Sequence, residues 1–413
     1  MAAKVKTAWH PRHLIVLRYS MKPPRFTLPM LCFALAGCNA TQNPSTPAAV
    51  SAPKDYFVYF GTHDTGPARG FSLAHFNPAT GGLSAPQFLL ASPGPAYFVI
   101  STDGKFLYAC NTLGSRAEGQ VGAYARDGKT GALTLLNTRP SGGADPSYVS
   151  FDRTGRFLLI ANYNGSSVEV LPILADGSLG TRTALDVHTG KSVTPDRAQQ
   201  PYAHSIIVDP GNHFALNPDL GLDRVYIYKF DAATGALAPN DPPWFADKPG
   251  SGPRHVIFAP NGKIVYLIHE VANTISVLAW DGEKGALNEI QNIATLPADY
   301  TAKSTCAEIQ IHPGGKFLYA SNRHAAKDKS ATIAVFSIDD KNGRLTLIQQ
   351  APTFGDTPRN FTLDPTGRWL LASNQDSDTL ILYSVDQSTG KLTQSGPLVP
   401  LKYPFCERFV PAE

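Results

Sequence analysis

A hairpin-like stretch recurs along this chain at a nearly constant interval. Its clearest copy, GPRHVIFAPNGKIVYLIHE at residues 252–270, places two short apolar segments on either side of a Pro-Asn-Gly turn. Short apolar runs separated by such a turn predict an antiparallel β-hairpin and leave no room for a helix. Similar copies begin at Pro95, Pro146, Cys306 and Pro358, and a looser copy begins at Pro201.

The turn glycines of these copies define the period. They are 51, 56, 51, 53 and 52 residues apart, in the order Gly104, Gly155, Gly211, Gly262, Gly315 and Gly367. A repeat of this length indicates a propeller, solenoid or array, and weak helical patterning excludes the helical arrays. A second turn, Gly-x-Leu, begins at Gly81, Gly131, Gly177, Gly235, Gly285, Gly343 and Gly390. Seven such turns predict an all-β, seven-bladed β-propeller with four-stranded antiparallel blades.

The two ends of the repeat region complement each other. The first unit opens on YFVYFGT at 56–62, which resembles a second strand with no first strand before it. The stretch PFCERFVP, from Pro404, has the proline and the alternation of a first strand. We therefore expect residues 406–410 to close the ring as the innermost strand of blade one, which removes two open sheet edges. The propeller is predicted to span residues 56–413.

The segment before the repeats is typical of an export signal. From Met21, a basic start leads into an apolar run and then small residues, which is the secretory pattern. The run is shorter than the roughly 20 residues of a membrane-spanning helix. Residues 35–38 (LAGC) resemble a bacterial lipobox. We expect residues 1–37 to be a signal peptide and Cys38 to be lipidated, and translation could begin at Met21 rather than at residue 1.

The leader also carries the positive charge of the chain. Residues 1–37 hold six Lys/Arg and no Asp/Glu, which leaves 30 of the 36 basic residues against all 33 acidic ones, a net charge of −3. The charge therefore does not favour nucleic-acid binding. Residues 38–55, rich in Pro, Ser, Thr and Ala, predict a flexible tether. We expect an exported monomer on the periplasmic face of the cell envelope, attached to the membrane only through the lipid at Cys38.

The sequence has no pattern for a metal or a cofactor. Cys110, Cys306 and Cys406 remain after the leader, enough for at most one disulfide, and they lack metal-ligand spacing. There is neither a phosphate-cradling glycine loop nor a dinucleotide fingerprint. We expect no cofactor and no metal, and a divalent ion held by Glu270 and Asp219 is the alternative.

The repeat also predicts where functional side chains meet. In a propeller the first strand of each blade lines the central channel, so the starts of first strands and the ends of second strands converge at one mouth. The starts contribute Tyr97, Tyr148, His204, Arg254, His255, Glu308, Arg359 and Asn360. The ends contribute Asn111, Asn162, Asp219, His269, Glu270, Asn322, Arg323, Asn374 and Gln375.

Several of these stretches carry a family resemblance. They are AHSIIVDP with PDLGLDRVYIY, GPRHVIFAPNGKIVYLIHE, AEIQIHPGGKFLYASNR and PRNFTLDPTGRWLLASNQ. Together they resemble the lactonase family of seven-bladed propellers, which includes bacterial 6-phosphogluconolactonases and fungal carboxymuconate-lactonizing enzymes. The resemblance implies functional roles for His204, Arg254, Glu270 and Arg323. The chain departs from the family at His269, where bacterial members usually have Asn, and at Glu308, where they usually have Asp.

Lactone hydrolysis needs similar groups on chemical grounds. It requires a base for water, a cation near the developing oxyanion and a proton for the departing ring oxygen. His204 or Glu270 can act as the base, and Arg254 offers a permanent planar cation. No Gly-x-Ser-x-Gly elbow is present, which favours direct attack by water. Predicted substrate-binding residues are Arg323, Arg359, Glu308, Asn360, Gln375 and Tyr148, and the arginines among them could instead be solvated at the rim.

Each of these residues has a structural alternative. His204 could be a channel histidine bonded to a neighbouring blade, and Arg254 with Glu270 could be an inter-blade ion pair. Strand alternation directs His255 into the sheet packing, and we interpret it as structural. Asp219 lies in a loop where local bonds to the backbone are the commoner use of Asp.

The predicted function is the hydrolysis of a sugar-type lactone. By resemblance the substrate is 6-phospho-glucono-1,5-lactone, whereas export favours an unphosphorylated aldonolactone. One alternative is a non-catalytic envelope propeller that binds an anionic glycan or a protein at the same mouth. Another is a cycloisomerase that acts on a muconate-type lactone.

Overall fold

The described part of the chain is built from β-strands. The computed structural model describes residues 55–63, 66, 69–114, 116–191, 200–324 and 329–413. The predicted leader, the predicted lipidation site at Cys38 and nearly all of the predicted tether lie outside these residues. No helix in the described ranges is long and apolar enough to cross a membrane.

The strands form seven separate antiparallel sheets, one per blade. Blade one contains β1 (Tyr56–Thr62), β2 (Gly70–Asn77), β3 (Gly82–Leu83), β4 (Gln87–Ala91) and the C-terminal β30 (Pro404–Pro411). Blade two contains β5 (Pro95–Ile100), β6 (Phe106–Asn111), β7 (Glu118–Arg126) and β8 (Leu133–Ala144). Blade three contains β9 (Pro146–Phe151), β10 (Phe157–Asn162), β11 (Ser167–Pro172) and β12 (Ala184–Val187).

The remaining four blades continue the same order. Blade four contains β13 (Ile207–Val208), β14 (Phe214–Asp219), β15 (Arg224–Asp231) and β16 (Ala236–Ala246). Blade five contains β17 (Pro253–Phe258), β18 (Ile264–His269), β19 (Thr274–Asp281) and β20 (Ala286–Ala294). Blade six contains β21 (Ser304–Ile311), β22 (Phe317–His324), β23 (Thr332–Ile338) and β24 (Leu345–Pro352). Blade seven contains β25 (Pro358–Leu363), β26 (Trp369–Asn374), β27 (Thr379–Val385), β28 (Leu392–Gln394) and β29 (Val399–Pro400). The predicted seven-bladed fold is confirmed.

The C-terminal strand closes the ring as the sequence predicts. β30 pairs antiparallel with β1 along its length, with Cys406 opposite Gly61 and Val410 opposite Phe57. The strand is longer than expected because pairing extends from Thr62 opposite Pro404 across a bulge. The first and the last strand of the propeller therefore share one sheet, and the inner edge of β1 is paired.

Bonds between blades explain the Gly-x-Leu turn in four of the blades. A second-strand tyrosine hydroxyl donates to the glycine carbonyl of the Gly-x-Leu turn in the next blade. The distances are 2.6 Å for Tyr59 to Gly131, 2.9 Å for Tyr108 to Gly177, 2.9 Å for Tyr266 to Gly343 and 2.9 Å for Tyr319 to Gly390. Gly177 has φ 82°, and a Cβ there would lie 2.1 Å from the Phe106 ring. Glycine is thus required by conformation and by close blade packing.

Blade four departs from the repeat at its first strand. β13 has only two residues, and Ala203 meets Asp219 in an isolated bridge. Pro218 has no N–H for the ladder. The Asp219 carboxylate instead accepts the N–H groups of Tyr202 and Leu222 at 2.9 and 3.0 Å. The loose sequence copy at Pro201 therefore corresponds to a loop-like first strand.

Candidate active site

One mouth of the channel holds a cavity of about 430 Å³. It lies where first strands begin and second strands end, as the repeat predicts. Five predicted residues line it: His204, Glu270, Arg323, Arg359 and Gln375. The other predicted residues lie deeper in the channel or within loops.

Glu270 lies at the centre of the charged groups. Its Oε2 is 3.0 Å from Nε of Arg254 and 3.0 Å from Nη2 of Arg323. The same oxygen is 4.0 Å from Nε2 of His204. Blades four, five and six thus present an imidazole, a carboxylate and two guanidinium groups at one place.

Arg254 is buried beneath this carboxylate. Its Nη1 donates to the carbonyl oxygen of Ala307 at 2.5 Å. Burial, together with the neighbouring Arg323 cation, lowers its pKa to about 10. The guanidinium is therefore still charged at neutral pH and supplies a fixed positive field under Glu270.

His204 is an almost fully buried imidazole at the cavity. Burial, followed by the charges of Arg254, His255 and Arg359, holds its pKa well below the usual value. Its main chain is fixed because its N–H donates to Pro218 O at 3.0 Å and its carbonyl oxygen accepts from Ser147 Oγ at 3.0 Å. The ring is therefore neutral at physiological pH and able to accept a proton.

Arg359 also lines the cavity, but its contacts differ from those of Arg254 and Arg323. Its guanidinium lies 4.3 Å from the centre of the Phe405 ring. Within the described part of the chain it has neither a hydrogen bond nor an ion pair, in contrast to Arg323, which also donates to Cys306 O at 2.9 Å. Gln375 donates to the Tyr403 hydroxyl at 3.2 Å on the same wall. Arg359 thus remains available for an anionic or oxygen-rich ligand.

A closed ring of side chains, one from the inner edge of each blade, lies in the channel. We call it the channel ring, and its members are Arg408, Tyr97, Tyr148, His204, His255, Glu308 and Asn360. Tyr97 stacks on Tyr148 at 4.3 Å, and Arg408 covers Tyr97 at 4.7 Å. His255 Nδ1 is 3.4 Å from Glu308 Oε1.

The ring is completed through Asn360. Its amide donates to Glu308 Oε2, and its Oδ1 accepts from Arg408 Nη1 at 3.1 Å. Glu308, Asn360 and Tyr148 are therefore bonded or stacked within the channel ring and do not line the cavity. Direct contact of these three residues with substrate stays a prediction.

The expectation that strand alternation directs the His255 side chain into the sheet packing is wrong. Its ring lies in the channel, 5.1 Å from His204 and 4.9 Å from Tyr148. The ladder shifts register between Pro253 and His255, which makes Arg254 an extra, unpaired residue. Such a β-bulge breaks the alternation of side chains. Arg254 therefore contacts Glu270, and His255 contacts Glu308 in the channel.

Asp219 and His269 have local roles. The second oxygen of Asp219 lies 2.6 Å from His188 Nδ1, so its carboxylate is committed to the loop below His204, as the structural alternative proposed. His269 contacts Asp247 at 2.7 Å and Thr274 at 2.7 Å and does not line the cavity. In the described ranges, no group of three or more His, Cys, Asp or Glu is arranged to hold a metal ion. Cys110, Cys306 and Cys406 are buried free thiols.

Sequence reasoning missed several residues of this mouth, including His63, Tyr403 and Phe405 in the cavity wall. Asp145 and Tyr163 line the cavity, and Arg408 belongs to the channel ring. Asp145 lies one residue before the blade-opening Pro146, and Tyr163 lies one residue after β10. Both lie one residue outside the strand starts and ends that the repeat predicts for the mouth. Arg408 lies on the closing strand, which is not part of the repeated hairpins.

The fold and this mouth define a seven-bladed β-propeller with acid–base groups and arginines gathered at one end of its channel. The chain belongs to the lactonase family of 7-bladed beta-propellers, whose family model matches residues 57–409. The family predicted from the sequence is thereby confirmed.

Relatives and solved structures agree with this membership. The 6-phosphogluconolactonase of Bacillus subtilis is 33% identical over 357 residues, which cover 86% of this chain and 98% of the relative. The 6-phosphogluconolactonase of Formosa agariphila is 32% identical over 336 residues, 80% of this chain and 92% of the relative. The periplasmic gluconolactonase of Pseudomonas aeruginosa has a similar structure, with a TM-score of 0.81 and 29% identity, covering 87% of this chain and 100% of that one.

Proposed function

We propose that this protein hydrolyses a sugar-type lactone by direct attack of water. The observation that carries the proposal is the neutral, buried His204 beside the Glu270 carboxylate at one cavity, with Arg323 in the cavity wall and Arg254 buried beneath the carboxylate. Relatives named 6-phosphogluconolactonase and the periplasmic gluconolactonase support the same reaction class.

In the proposed reaction, water adds to the lactone carbonyl carbon and the ring C–O bond breaks. His204 accepts a proton from the water, and the arginines at the cavity stabilise the oxyanion. The resulting imidazolium returns the proton to the departing ring oxygen, so the product is an open-chain hydroxy acid. Glu270, 4.0 Å from His204, stabilises the imidazolium while it exists.

His204 suits the role of base better than Glu270 does. Both guanidinium groups on Glu270 Oε2 favour its ionised form and make it a weaker proton acceptor. A neutral imidazole has its lone pair available at neutral pH. Within the described residues its buried Nδ1 has no hydrogen-bond partner, and its Nε2 lies 4.0 Å from Glu270 Oε2.

The test is a proton-release assay on the purified protein with glucono-1,5-lactone and its 6-phosphate in parallel. We expect His204→Gln to lower kcat by about 10² to 10⁴-fold, the range for loss of a general base. His75→Gln, at an exposed position, is the matched control and is expected to leave kcat unchanged. A folded wild-type protein that accelerates neither lactone contradicts the proposal.

We also propose that the chain is exported and lipid-anchored at Cys38. The support is the lipobox-like LAGC at residues 35–38 together with the periplasmic location of the Pseudomonas aeruginosa relative. Fractionation of cells that carry the wild type or Cys38→Ser tests it. Recovery of the wild type in the cytosol, or equal membrane association of both forms, contradicts the anchor.

A further inference from the structure

Asp145 is a carboxylate fixed at the cavity wall that the proposed reaction does not use. It precedes the blade-opening Pro146 and adopts φ 55°, a left-handed conformation that few residues other than Gly, Asn and Asp tolerate. Thr112 Oγ1 donates to its Oδ1 at 3.3 Å, and Asn164 Nδ2 donates to its Oδ2 at 2.9 Å. The turn and the two donors hold the carboxylate at the cavity.

The charged side chains that line the cavity balance one another, and Arg254 is a further cation buried beneath Glu270, to which it is paired. Among the described residues that line the cavity, Asp145 and Glu270 offset Arg323 and Arg359, and lysine is absent. Burial and nearby arginines lower the pKa of His63 and of His204, so both imidazoles are neutral at physiological pH. Arg323 is already committed to Glu270 at 3.0 Å. One arginine, Arg359, is left for a ligand anion.

This balance does not suit a phosphate ester. A phosphoryl group carries about two negative charges near neutral pH and is bound by several charge-assisted donors together. Here a single guanidinium would meet it beside a fixed carboxylate. A sugar hydroxyl, by contrast, is a donor that a carboxylate oxygen accepts well, and such bonds to charged acceptors are among the stronger ones.

We propose that Asp145 is a specificity-determining residue, which accepts hydrogen bonds from the hydroxyls of an unphosphorylated polyhydroxy lactone and repels its phosphate ester. The proposal rests on the lactonase function proposed above. It leaves Arg359 to stabilise the single carboxylate charge that ring opening creates. Asp145 thus acts on the choice of substrate, whereas His204 and Glu270 act on its hydrolysis.

The experiment compares kcat/KM for glucono-1,5-lactone and its 6-phosphate in the wild type, Asp145→Asn and Asp103→Asn. Asn tolerates the left-handed turn, and Asp103, in the exposed β5–β6 turn at the other end of its blade, controls for the loss of one charge. We expect the wild type to prefer the neutral lactone. In Asp145→Asn, kcat/KM for the neutral lactone should fall about tenfold to a hundredfold, the loss of a hydrogen bond to a charged group.

The ratio of kcat/KM for the neutral lactone to kcat/KM for the phosphate ester decides between the outcomes. In Asp145→Asn it should shift by about tenfold or more toward the phosphate ester, because repulsion disappears as the hydroxyl bond is lost. Asp103→Asn should leave the ratio unchanged. Equal losses on both substrates mean that Asp145 only holds its turn, and a wild type that prefers the phosphate ester also overturns the proposal.

If Asp145→Asn does not fold, a measurement on the wild type alone still tests the proposal. Raising the ionic strength from about 0.01 M to about 0.15 M screens surface charges, so kcat/KM for the phosphate ester should rise relative to the neutral lactone. A relative fall means net attraction and overturns the proposal. If the wild type hydrolyses neither lactone, the proposed function fails, which is distinct from hydrolysis with an unchanged ratio.

Discussion

At the residue scale, the site is organised around a single carboxylate oxygen. Oε2 of Glu270 lies 3.0 Å from both Arg254 and Arg323. Arg254 is almost fully buried, so it depends on Glu270 for a counter-charge. Arg254 and Glu270 both belong to blade five, so their pair lies within one blade and is not the inter-blade ion pair of the structural alternative. Glu270 joins blade five to blade six through Arg323, and the same carboxylate can orient the site.

This double role predicts a double effect of Glu270→Gln. The proposed activity should fall by about 10²-fold or more, because the imidazolium loses its neighbouring charge. The free energy of unfolding should also fall by about 3–5 kcal/mol, since a buried cation is left without its partner. Kinetics and urea unfolding of the same preparation measure the two effects.

The control for this prediction is Glu289→Gln. Glu289 pairs with the exposed Lys248 at 3.1 Å, and an exposed pair is worth about 0–1 kcal/mol. The stability of Glu289→Gln should therefore change little, and its activity should not change. Equal stability of Glu270→Gln and the wild type would show that Glu270 neither stabilises the buried Arg254 nor holds blades five and six together through Arg323.

At the element scale, the repeat contains most of the information about the fold. The spacing of the turn glycines indicates a propeller and the seven Gly-x-Leu turns predict the number of blades. Four of these seven turns accept a hydrogen bond from a tyrosine of the preceding blade. These features are local in sequence, so they can be read without knowing which strands pair.

The site was less accessible to prediction at this scale. The bulge at Arg254 reverses the expected direction of His255, and alternation alone cannot reveal an extra residue. Arg408 joins the channel ring only because β30 lies beside β1, a pairing between residues more than 340 positions apart, such as Val410 and Phe57. Bulges and this long-range pairing therefore limited the prediction of the site, whereas the number and order of the blades could be read from the local repeat.

The closing strand makes a prediction of its own. Deletion of residues 404–413 removes the pairing with β1 and also the bond from Arg126 Nη2 to Pro411 O at 2.6 Å. Because blade one then has an open inner edge, we expect cooperative thermal unfolding to be lost. Circular dichroism follows the transition, and deletion of residues 412–413 alone is the control that should retain it. An unchanged melting curve for the longer deletion would contradict closure by β30.

At the scale of the whole molecule, ring closure makes stability a shared property of all blades. One buried acid makes this stability depend on pH. Glu407, on β30, is fully buried between blades one and seven and accepts a hydrogen bond from Ser373 Oγ at 2.6 Å. Burial raises its pKa from 4.5 to about 8. The folded protein therefore holds a proton on Glu407 that the unfolded chain has released at neutral pH.

The sign of the resulting pH dependence follows from this difference. Below about pH 4.5 both states are protonated, and the contribution of the neutral acid to stability is fully present. As the pH rises toward 8 the contribution is lost, with a slope of about 1.4 kcal/mol per pH unit for one proton. Glu407→Gln resembles the protonated acid and keeps an oxygen for Ser373, so its stability should decline less over this range.

Urea unfolding between pH 5 and pH 8 tests this prediction. The difference in the free energy of unfolding between Glu407→Gln and the wild type should grow with pH in favour of the variant. The exposed Glu283→Gln controls for the loss of a carboxylate elsewhere. A difference that is constant across this range would mean that Glu407 is ionised in the folded protein, and the junction between the closing strand and blade seven would then have to accommodate a buried charge.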